Sequence, residues 1–166
     1  MNYFEQFFDE KAFDEDELVR IRIADTQGEI YQIAYERGYD MEFFSQVYLN
    51  TIFCRCEMDA VYSPYQYEMG EVCFELIDKE LKEAGVTIPT DEDREDYDAF
   101  RVGRIYRYLF YELRRPSDQL SKIVDFKYLV LCEKELEDQE AETTAKIIVK
   151  RIIDREEEKN DKCIQE

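Results

Sequence analysis

Apolar residues recur every three to four positions along most of the chain, as they do on one face of an α-helix. Interruptions are few, because the 166 residues include only five glycines and three prolines. The alternation of apolar and polar residues that marks a half-buried strand has little support. The sequence therefore predicts an all-α protein, in which residues 1–166 form a single compact domain of about six to eight helices.

Helix boundaries follow from residues that favour the ends of helices. Asp40 is a predicted N-cap, and Gly38 and Gly85 suit the left-handed position that often follows a helix. Thr90 is a predicted cap for a further helix, and Gly28 marks a point at which the first long helix could break in two. The predicted helices span residues 18–37, 40–59, 66–84 and 90–115, a short segment that begins at 116, and residues 126–136 and 140–158.

Residues 1–16 combine aromatic and acidic side chains and differ from the helices that follow. Phe4, Phe7 and Phe8 fall on one face when this segment is placed on a helix. If this aromatic face stays exposed, it is a candidate partner-binding segment; if it folds back, it belongs to the core. We expect the segment to dock loosely, and residues 159–166 at the other end of the chain to fray.

The chain carries 41 acidic and 22 basic residues, with a formal net charge of −19 at pH 7. This charge favours basic partners or serves solubility, and it disfavours anionic lipid surfaces. Direct binding of nucleic acid is disfavoured too, since phosphate contacts require a basic surface. No apolar run reaches the length of a membrane span. We therefore expect the partner to be another protein with a basic surface, and no association with a membrane.

The residue types that usually carry catalysis are missing. The chain contains no histidine, which excludes the Ser-His and Cys-His nucleophile arrangements. Cys54 and Cys56 are two positions apart, so on a helix they point in directions about 200° apart and cannot share a metal ion. Glycine-rich phosphate loops and calcium-binding loops are not present either. The sequence therefore predicts no enzyme activity, no catalytic residue, no cofactor and no metal site.

The five cysteines are odd in number and irregularly spaced, and they follow an N-terminal sequence that is acidic rather than basic. A disulfide framework and a secretory signal each show a different pattern. Free thiols in a reducing cytoplasm are the interpretation that fits these features best.

The segment RVGRIYRYLFYELRR, residues 101–115, concentrates five arginines among tyrosines. On a helix its aliphatic side chains form one side, and its arginines and several aromatic residues form the other. The arginine side supplies the candidate binding residues Arg101, Arg104, Arg107, Tyr108, Tyr111 and Arg114. Guanidinium groups pair with carboxylates or phosphates and stack on aromatic rings. These arginines therefore pair with acids of neighbouring helices, bind a partner protein, or bind a nucleotide or nucleic acid.

Two short runs are dense in negative charge, because residues 9–17 and 91–98 each hold six acids against one base. Asp91, Glu92 and Asp93 also sit where the dipole of a helix that begins just before them favours negative charge. These three residues are candidate partner contacts. DNA carries one charge per about 1.7 Å of its axis, so dense, one-sided carboxylates can imitate it. An alternative is therefore a DNA mimic that acts against restriction or another defence.

The stretch GRIYRYLFYELRRPSDQLSKIVD, residues 103–125, combines an I-Y-R-Y core with a later S-x-x-L-x-x-I pattern. These positions are Ile105, Tyr106, Arg107, Tyr108, Ser117, Leu120 and Ile123. The combination resembles a loosely described group of acidic helical proteins from Firmicutes. Members of that group look like antitoxin or companion proteins of small toxin gene clusters, some beside ADP-ribosyltransferase-like proteins. The resemblance implies neutralisation of a partner encoded nearby, and it carries over no catalytic residue.

The negative net charge, the absence of the usual catalytic residue types and this resemblance favour one function. The sequence predicts an acidic protein-binding module, an antitoxin or inhibitor that neutralises its partner by binding it. Two alternatives stay open, namely a DNA mimic and a nucleotide-binding module that uses the arginine side of residues 101–115.

Overall fold

The computed structural model describes residues 8–165 of the chain. Its helices are α1 (Glu17–Glu36), α2 (Met41–Leu49), α3 (Gly70–Glu83), α4 (Ala99–Leu113), α5 (Ser117–Ile123), α6 (Phe126–Glu135) and α7 (Ala141–Gln165). Shorter helical turns lie at Glu10–Asp14, Cys54–Met58 and Pro64–Tyr67. β-strands are absent from residues 8–165, where an isolated bridge pairs Tyr39 with Thr90. The predicted fold class, one compact all-α domain, is confirmed.

The core is centred on α1 and α4, which cross at close range. A Cβ atom on Gly103 of α4 would lie 2.7 Å from the carbonyl oxygen of Gln27 in α1. A Cβ atom on Gly28 of α1 would lie 2.7 Å from the ring of Phe100. The two glycines therefore let the helices approach more closely than larger residues allow. Gly28 does not break α1, which continues through it. The role of Gly28 is to make room for α4, since it has no side chain.

The other helices surround this central pair. α3 packs against α1, α7 packs against α4, and α2 contacts both α5 and α6 on a further side. α7 runs past the core, and its side chains from Ile153 to Ile164 are exposed. The segment that was expected to fray is therefore helical through Gln165, and the predicted end of this helix near residue 158 is wrong.

Aspartates begin most of the longer helices. Each of these side chains accepts a hydrogen bond from the backbone N–H three residues later, which satisfies a donor that the helix leaves free. The capping residues are Asp16 of α1, Asp40 of α2, Asp98 of α4 and Asp125 of α6. The predicted cap at Asp40 is confirmed. Gly38 and Gly85 have φ angles of 80° and 71°, the left-handed conformation that was predicted for both.

The helix predicted over residues 90–115 begins only at Ala99, so the prediction is wrong for its first part. Residues 91–98 form a turn followed by irregular structure. On a helix, acids of this run would lie four residues apart and repel one another. Instead the backbone N–H of Asp91 donates to the carbonyl oxygen of Gly38 at 2.9 Å, which holds the run beside the α1–α2 turn.

The helices predicted over residues 40–59 and 66–84 are correctly placed but too long, since α2 and α3 cover only part of them. The Glu80 carboxylate accepts hydrogen bonds from the backbone N–H groups of Ile52 and Phe53 at 2.7 and 2.9 Å. A side chain of α3 thus satisfies donors that a continued α2 would have used. Such a long-range contact leaves no trace in hydrophobic periodicity.

The described part of the N-terminal segment packs on α4. Phe13 is buried, and its ring centroid lies 5.1 Å from that of Phe8 and 4.8 Å from that of Phe110. Phe8 is half-buried and packs against the core through these rings. The predictions for Phe4 and Phe7 lie outside the described residues.

Candidate functional site

The central arginine of α4 lies in the core. Arg107 is fully buried, and its Nη1 donates to Asp59 Oδ1 at 2.8 Å. Its Nη2 donates to Gln27 Oε1 at 2.7 Å and to Ser117 Oγ at 3.3 Å. The backbone N–H of Ser117 in turn donates to Asp59 Oδ2 at 2.9 Å. Burial disfavours the charged guanidinium, but the Asp59 carboxylate outweighs this effect, and the pKa of Arg107 lies above its usual value.

A π-helical turn, Cys54–Met58, supplies part of this buried network. The turn places Cys54 Sγ 3.8 Å from Nη2 of Arg107, and Asp59 follows directly after it. π-helical turns are rare and often position functional groups. Burial raises the pKa of the Cys54 thiol to about 12, so this cysteine is protonated and unreactive at neutral pH in spite of the arginine beside it.

Arg101 is also buried and joins α4 to the end of α6. Its Nη2 donates to the carbonyl oxygens of Leu136 and Gln139 at 2.8 and 2.7 Å. The same nitrogen donates to Thr144 Oγ1 at 2.6 Å, and Nη1 donates to the Glu133 carbonyl oxygen at 3.0 Å. Carbonyls at the end of a helix lack partners within it, and this arginine satisfies them. Arg101 therefore fastens α6 and α7 to α4.

The remaining residues of the arginine side are also engaged within the chain. Arg104 Nε lies 3.1 Å from Asp25 Oδ1, and Arg114 Nη1 lies 2.7 Å from Asp14 Oδ1. Two buried tyrosines complete this side, Tyr108 and Tyr111. Internal pairing, one of the interpretations that the sequence left open, is therefore the arrangement that these arginines adopt. A role of these residues in partner binding stays a prediction, and most of them offer little surface for it.

A groove of about 800 Å³ opens between α2, α6 and residues 91–97. Its carboxylates are Asp40, Glu42, Asp91, Asp93 and Glu95. Its two basic side chains are Arg94 and Lys127. Most of the remaining lining is apolar and consists of Met41, Phe43, Tyr97, Phe126, Val130 and Leu131. We refer to this feature as the acidic groove.

The carboxylates of the acidic groove differ in how far they are engaged. Glu95 pairs with Lys134 at 2.5 Å, and this lysine holds the pKa of Glu95 below its usual value. Glu42 lies 3.9 Å from Lys127, at the outer limit of an ion pair. Asp93 is exposed and makes no ion pair within residues 8–165. The groove therefore keeps an excess of negative charge, because Arg94 and Lys127 do not neutralise its five carboxylates.

Aromatic rings lie next to these carboxylates. The centroids of Tyr97 and Phe126 are 6.4 Å apart, and the rings are inclined at 70°. Burial raises the pKa of Tyr97, and the nearby Asp40 carboxylate acts in the same direction. Aromatic faces attract cations, and adjacent carboxylates add to this attraction. The arrangement suits a ligand that carries both positive charge and apolar surface.

Two of the predicted acidic contacts, Asp91 and Asp93, line the acidic groove, whereas Glu92 is exposed outside its lining. The helix dipole that was expected to favour them is not at this position, because α4 begins eight residues after Asp91. Phe43 and Phe126 were not predicted as site residues. Their apolar character was visible in the sequence, but only the fold brings their two helices to one groove.

A smaller cavity of about 240 Å³ lies at the end of α4. Its charged lining consists of Glu10, Arg55, Arg114, Arg115 and Asp118. Arg55 pairs with Asp118, and Arg114 pairs with Asp14. Two of these arginines therefore already form ion pairs with carboxylates of the chain. The cavity is a weaker candidate for a binding site than the acidic groove.

Comparison of the chain with models of protein families, with curated proteins and with solved structures finds no match. Within residues 8–165, no group of acidic or cysteine side chains is arranged to hold a metal ion. None of the helices described here has both the length and the apolar character that a membrane span requires.

Proposed function

We propose that this chain is an acidic protein-binding module that acts as an antitoxin or inhibitor by covering a basic surface of its partner. The acidic groove carries this proposal, because it combines an excess of carboxylates with exposed apolar side chains. Complementary charge speeds association and gives specificity, and a buried apolar centre supplies affinity. A basic protein fits this surface, whereas a nucleic acid would be repelled by the same carboxylates.

The two alternatives have less support. Arg101 and Arg107 donate to the buried acceptors Thr144 Oγ1 and Asp59 Oδ1, so a nucleotide would have to displace contacts within the core. A DNA mimic needs a protruding row of carboxylates, whereas residues 91–97 contribute to the lining of a concave groove.

The proposal also covers the compartment in which the partner is met and the place where it is encoded. All five cysteines are free thiols, which suits the reducing cytoplasm. The resemblance of residues 103–125 to antitoxin-like proteins supports a partner that is encoded nearby. These residues lie in α4 and α5 and the turns beside them, so the resemblance concerns the scaffold rather than the groove.

Purification of a tagged chain from its native host at moderate salt, followed by native mass spectrometry, tests this proposal. We expect a stoichiometric complex with one basic protein, whose activity or toxicity is lost when the two are expressed together. Salt of about 1 M screens charges beyond about 3 Å and should weaken the complex. The proposal fails if the chain purifies alone at low and moderate salt, or if the partner stays fully active in the complex.

A further inference from the structure

The apolar lining of the acidic groove limits what its occupant can be. Phe43 of α2 and Leu131 of α6 are 39% and 61% exposed, although both are large apolar side chains. Apolar side chains grouped in a concave surface are typical of a contact area, and burial of each stabilises a complex. The occupant therefore presents apolar side chains to both walls of the groove.

The charged lining requires positive charge beside those apolar side chains. Asp93 has no ion-pair partner within residues 8–165, and Asp40 uses one carboxylate oxygen to cap α2. The Tyr97 and Phe126 rings lie in the same lining. A guanidinium group can stack on a ring and pair with a carboxylate at the same time, which an ammonium group does less well. Arginine is therefore the side chain that fits this part of the groove best.

Arg94 is one of the two basic side chains in the lining of the acidic groove. Its guanidinium stacks on Tyr35, with 3.7 Å between Cζ and the ring centroid. Its Nη1 atom is buried and donates no hydrogen bond within residues 8–165. The Nη1 atom therefore faces the interior of the chain, and the occupant's polar contacts fall to the carboxylates of the lining.

Other occupants fit less well. A second copy of the chain would bring another net charge of −19, and residues 1–7 contain no lysine or arginine. An extended peptide leaves its own backbone groups unpaired, and a lining made of side chains does not pair them regularly. A helix satisfies its backbone internally and offers one apolar stripe with charged flanks.

We propose that the partner docks through a short basic amphipathic helix that lies in the acidic groove. Its apolar stripe covers Phe43 and Leu131, and an arginine beside the stripe stacks on Tyr97 and Phe126 and pairs with Asp93. This inference rests on the proposed function, and it specifies the element that the partner contributes and the surface that receives it.

Synthetic peptides provide the probe. The first is a 14-residue amphipathic helix with a leucine stripe and flanking arginines. The second replaces each arginine with citrulline, its neutral isostere, and the third is a scramble of the first. Fluorescence anisotropy at about 0.15 M salt, where the screening length is about 8 Å, measures each dissociation constant. We expect the first peptide to bind the full chain at least about tenfold more tightly than either of the others.

Variants of the chain test whether the first peptide binds in the acidic groove. We expect Asp93→Lys and Leu131→Asp each to weaken binding of the first peptide about tenfold or more. Glu157→Lys on the exposed end of α7 changes the net charge by the same amount as Asp93→Lys, and we expect it to weaken binding less than about threefold. Far-UV circular dichroism checks that each variant keeps its helices.

Equal weakening by Asp93→Lys and Glu157→Lys would mean that only the overall field attracts the peptide, and the inference would be overturned. Equal binding of the scrambled peptide would overturn it as well. The native complex separates the two proposals. If Asp93→Lys and Leu131→Asp capture the native partner as well as the unmodified chain does, the partner binds elsewhere; the proposed function stands and the groove inference is wrong.

Discussion

Arg107 of α4 carries a charge that is fully buried. Removing a guanidinium from water costs several kcal/mol, which only close partners offset. Arg107 has such partners in Asp59, Gln27 and Ser117, and its Cζ lies 4.6 Å from the centroid of the Phe110 ring. These residues come from distant parts of the chain. Their network therefore fixes α1, the π-helical turn, α4 and α5 in one relative arrangement.

Arg107→Met tests how much this network contributes to the stability of the fold. The substitution leaves the Asp59 carboxylate buried beside an apolar side chain, so we expect the free energy of unfolding to fall by about 3–5 kcal/mol. Denaturation by urea, followed by circular dichroism, measures this change. The double variant Arg107→Met with Asp59→Leu removes both charges and should lose less stability than the single variant.

The matched control for this test is Arg115→Met. Arg115 is exposed, and we expect its substitution to change stability by no more than about 0.5 kcal/mol. A loss at Arg107 no larger than at Arg115 would show that the buried network contributes nothing to stability.

Most helices of this protein could be predicted from hydrophobic period and capping residues. Asp40 and Gly38 marked their helix ends correctly, because capping depends on neighbours in sequence. The start of α4 and the end of α2 could not be predicted in this way. They depend on two hydrogen bonds between distant segments. The Asp91 N–H donates to the Gly38 carbonyl oxygen, and the Ile52 N–H donates to the Glu80 carboxylate.

Gly103→Ala tests the close crossing of α1 and α4. Alanine is the better helix former by about 1 kcal/mol, so the substitution would stabilise an isolated helix. Here the new Cβ atom would lie 2.7 Å from the Gln27 carbonyl oxygen, and we expect a net loss of about 1–3 kcal/mol in urea denaturation. Thr143→Ala at an exposed position of α7 is the control and should be neutral or slightly stabilising. A Gly103→Ala variant more stable than the unmodified chain would contradict the close crossing of α1 and α4.

Charge is distributed unevenly between the inside and the outside of the protein. Arg101 and Arg107 are buried with their partners, whereas most of the 41 acidic side chains face solvent. The two buried arginines are balanced by the buried acids Asp59 and Glu133, so the net charge of −19 lies at the surface. Self-repulsion of this kind keeps a protein soluble and destabilises its compact state.

A rise in salt should therefore stabilise the fold. Between about 0.1 and 1 M sodium chloride the screening length falls from about 10 to about 3 Å, which weakens surface repulsion more than buried pairs. A gain of about 1 kcal/mol would raise Tm by about 2–4 °C in thermal unfolding. A variant with Glu156, Glu157 and Glu158 changed to lysine should gain less. An unchanged or lower Tm at high salt would contradict this account.

The acidic groove was only partly predictable. Asp91 and Asp93 could be predicted because acids are dense around them, which is a local property of the sequence. Phe43, Phe126 and Leu131 could not be predicted, since their apolar character also suits a core position. Segments around residues 40, 95 and 130 form the groove jointly, and one sequence does not show that distant segments meet.

The Arg107 network also limits how this sequence can change over generations. Any single substitution of Arg107 or of Asp59 leaves the other charge buried without its counterion. The pair is therefore reached or left only through an intermediate of low fitness or through two changes at once. Surface acids can be exchanged one at a time, so mutational drift should erode the outer sequence long before it reaches this polar centre.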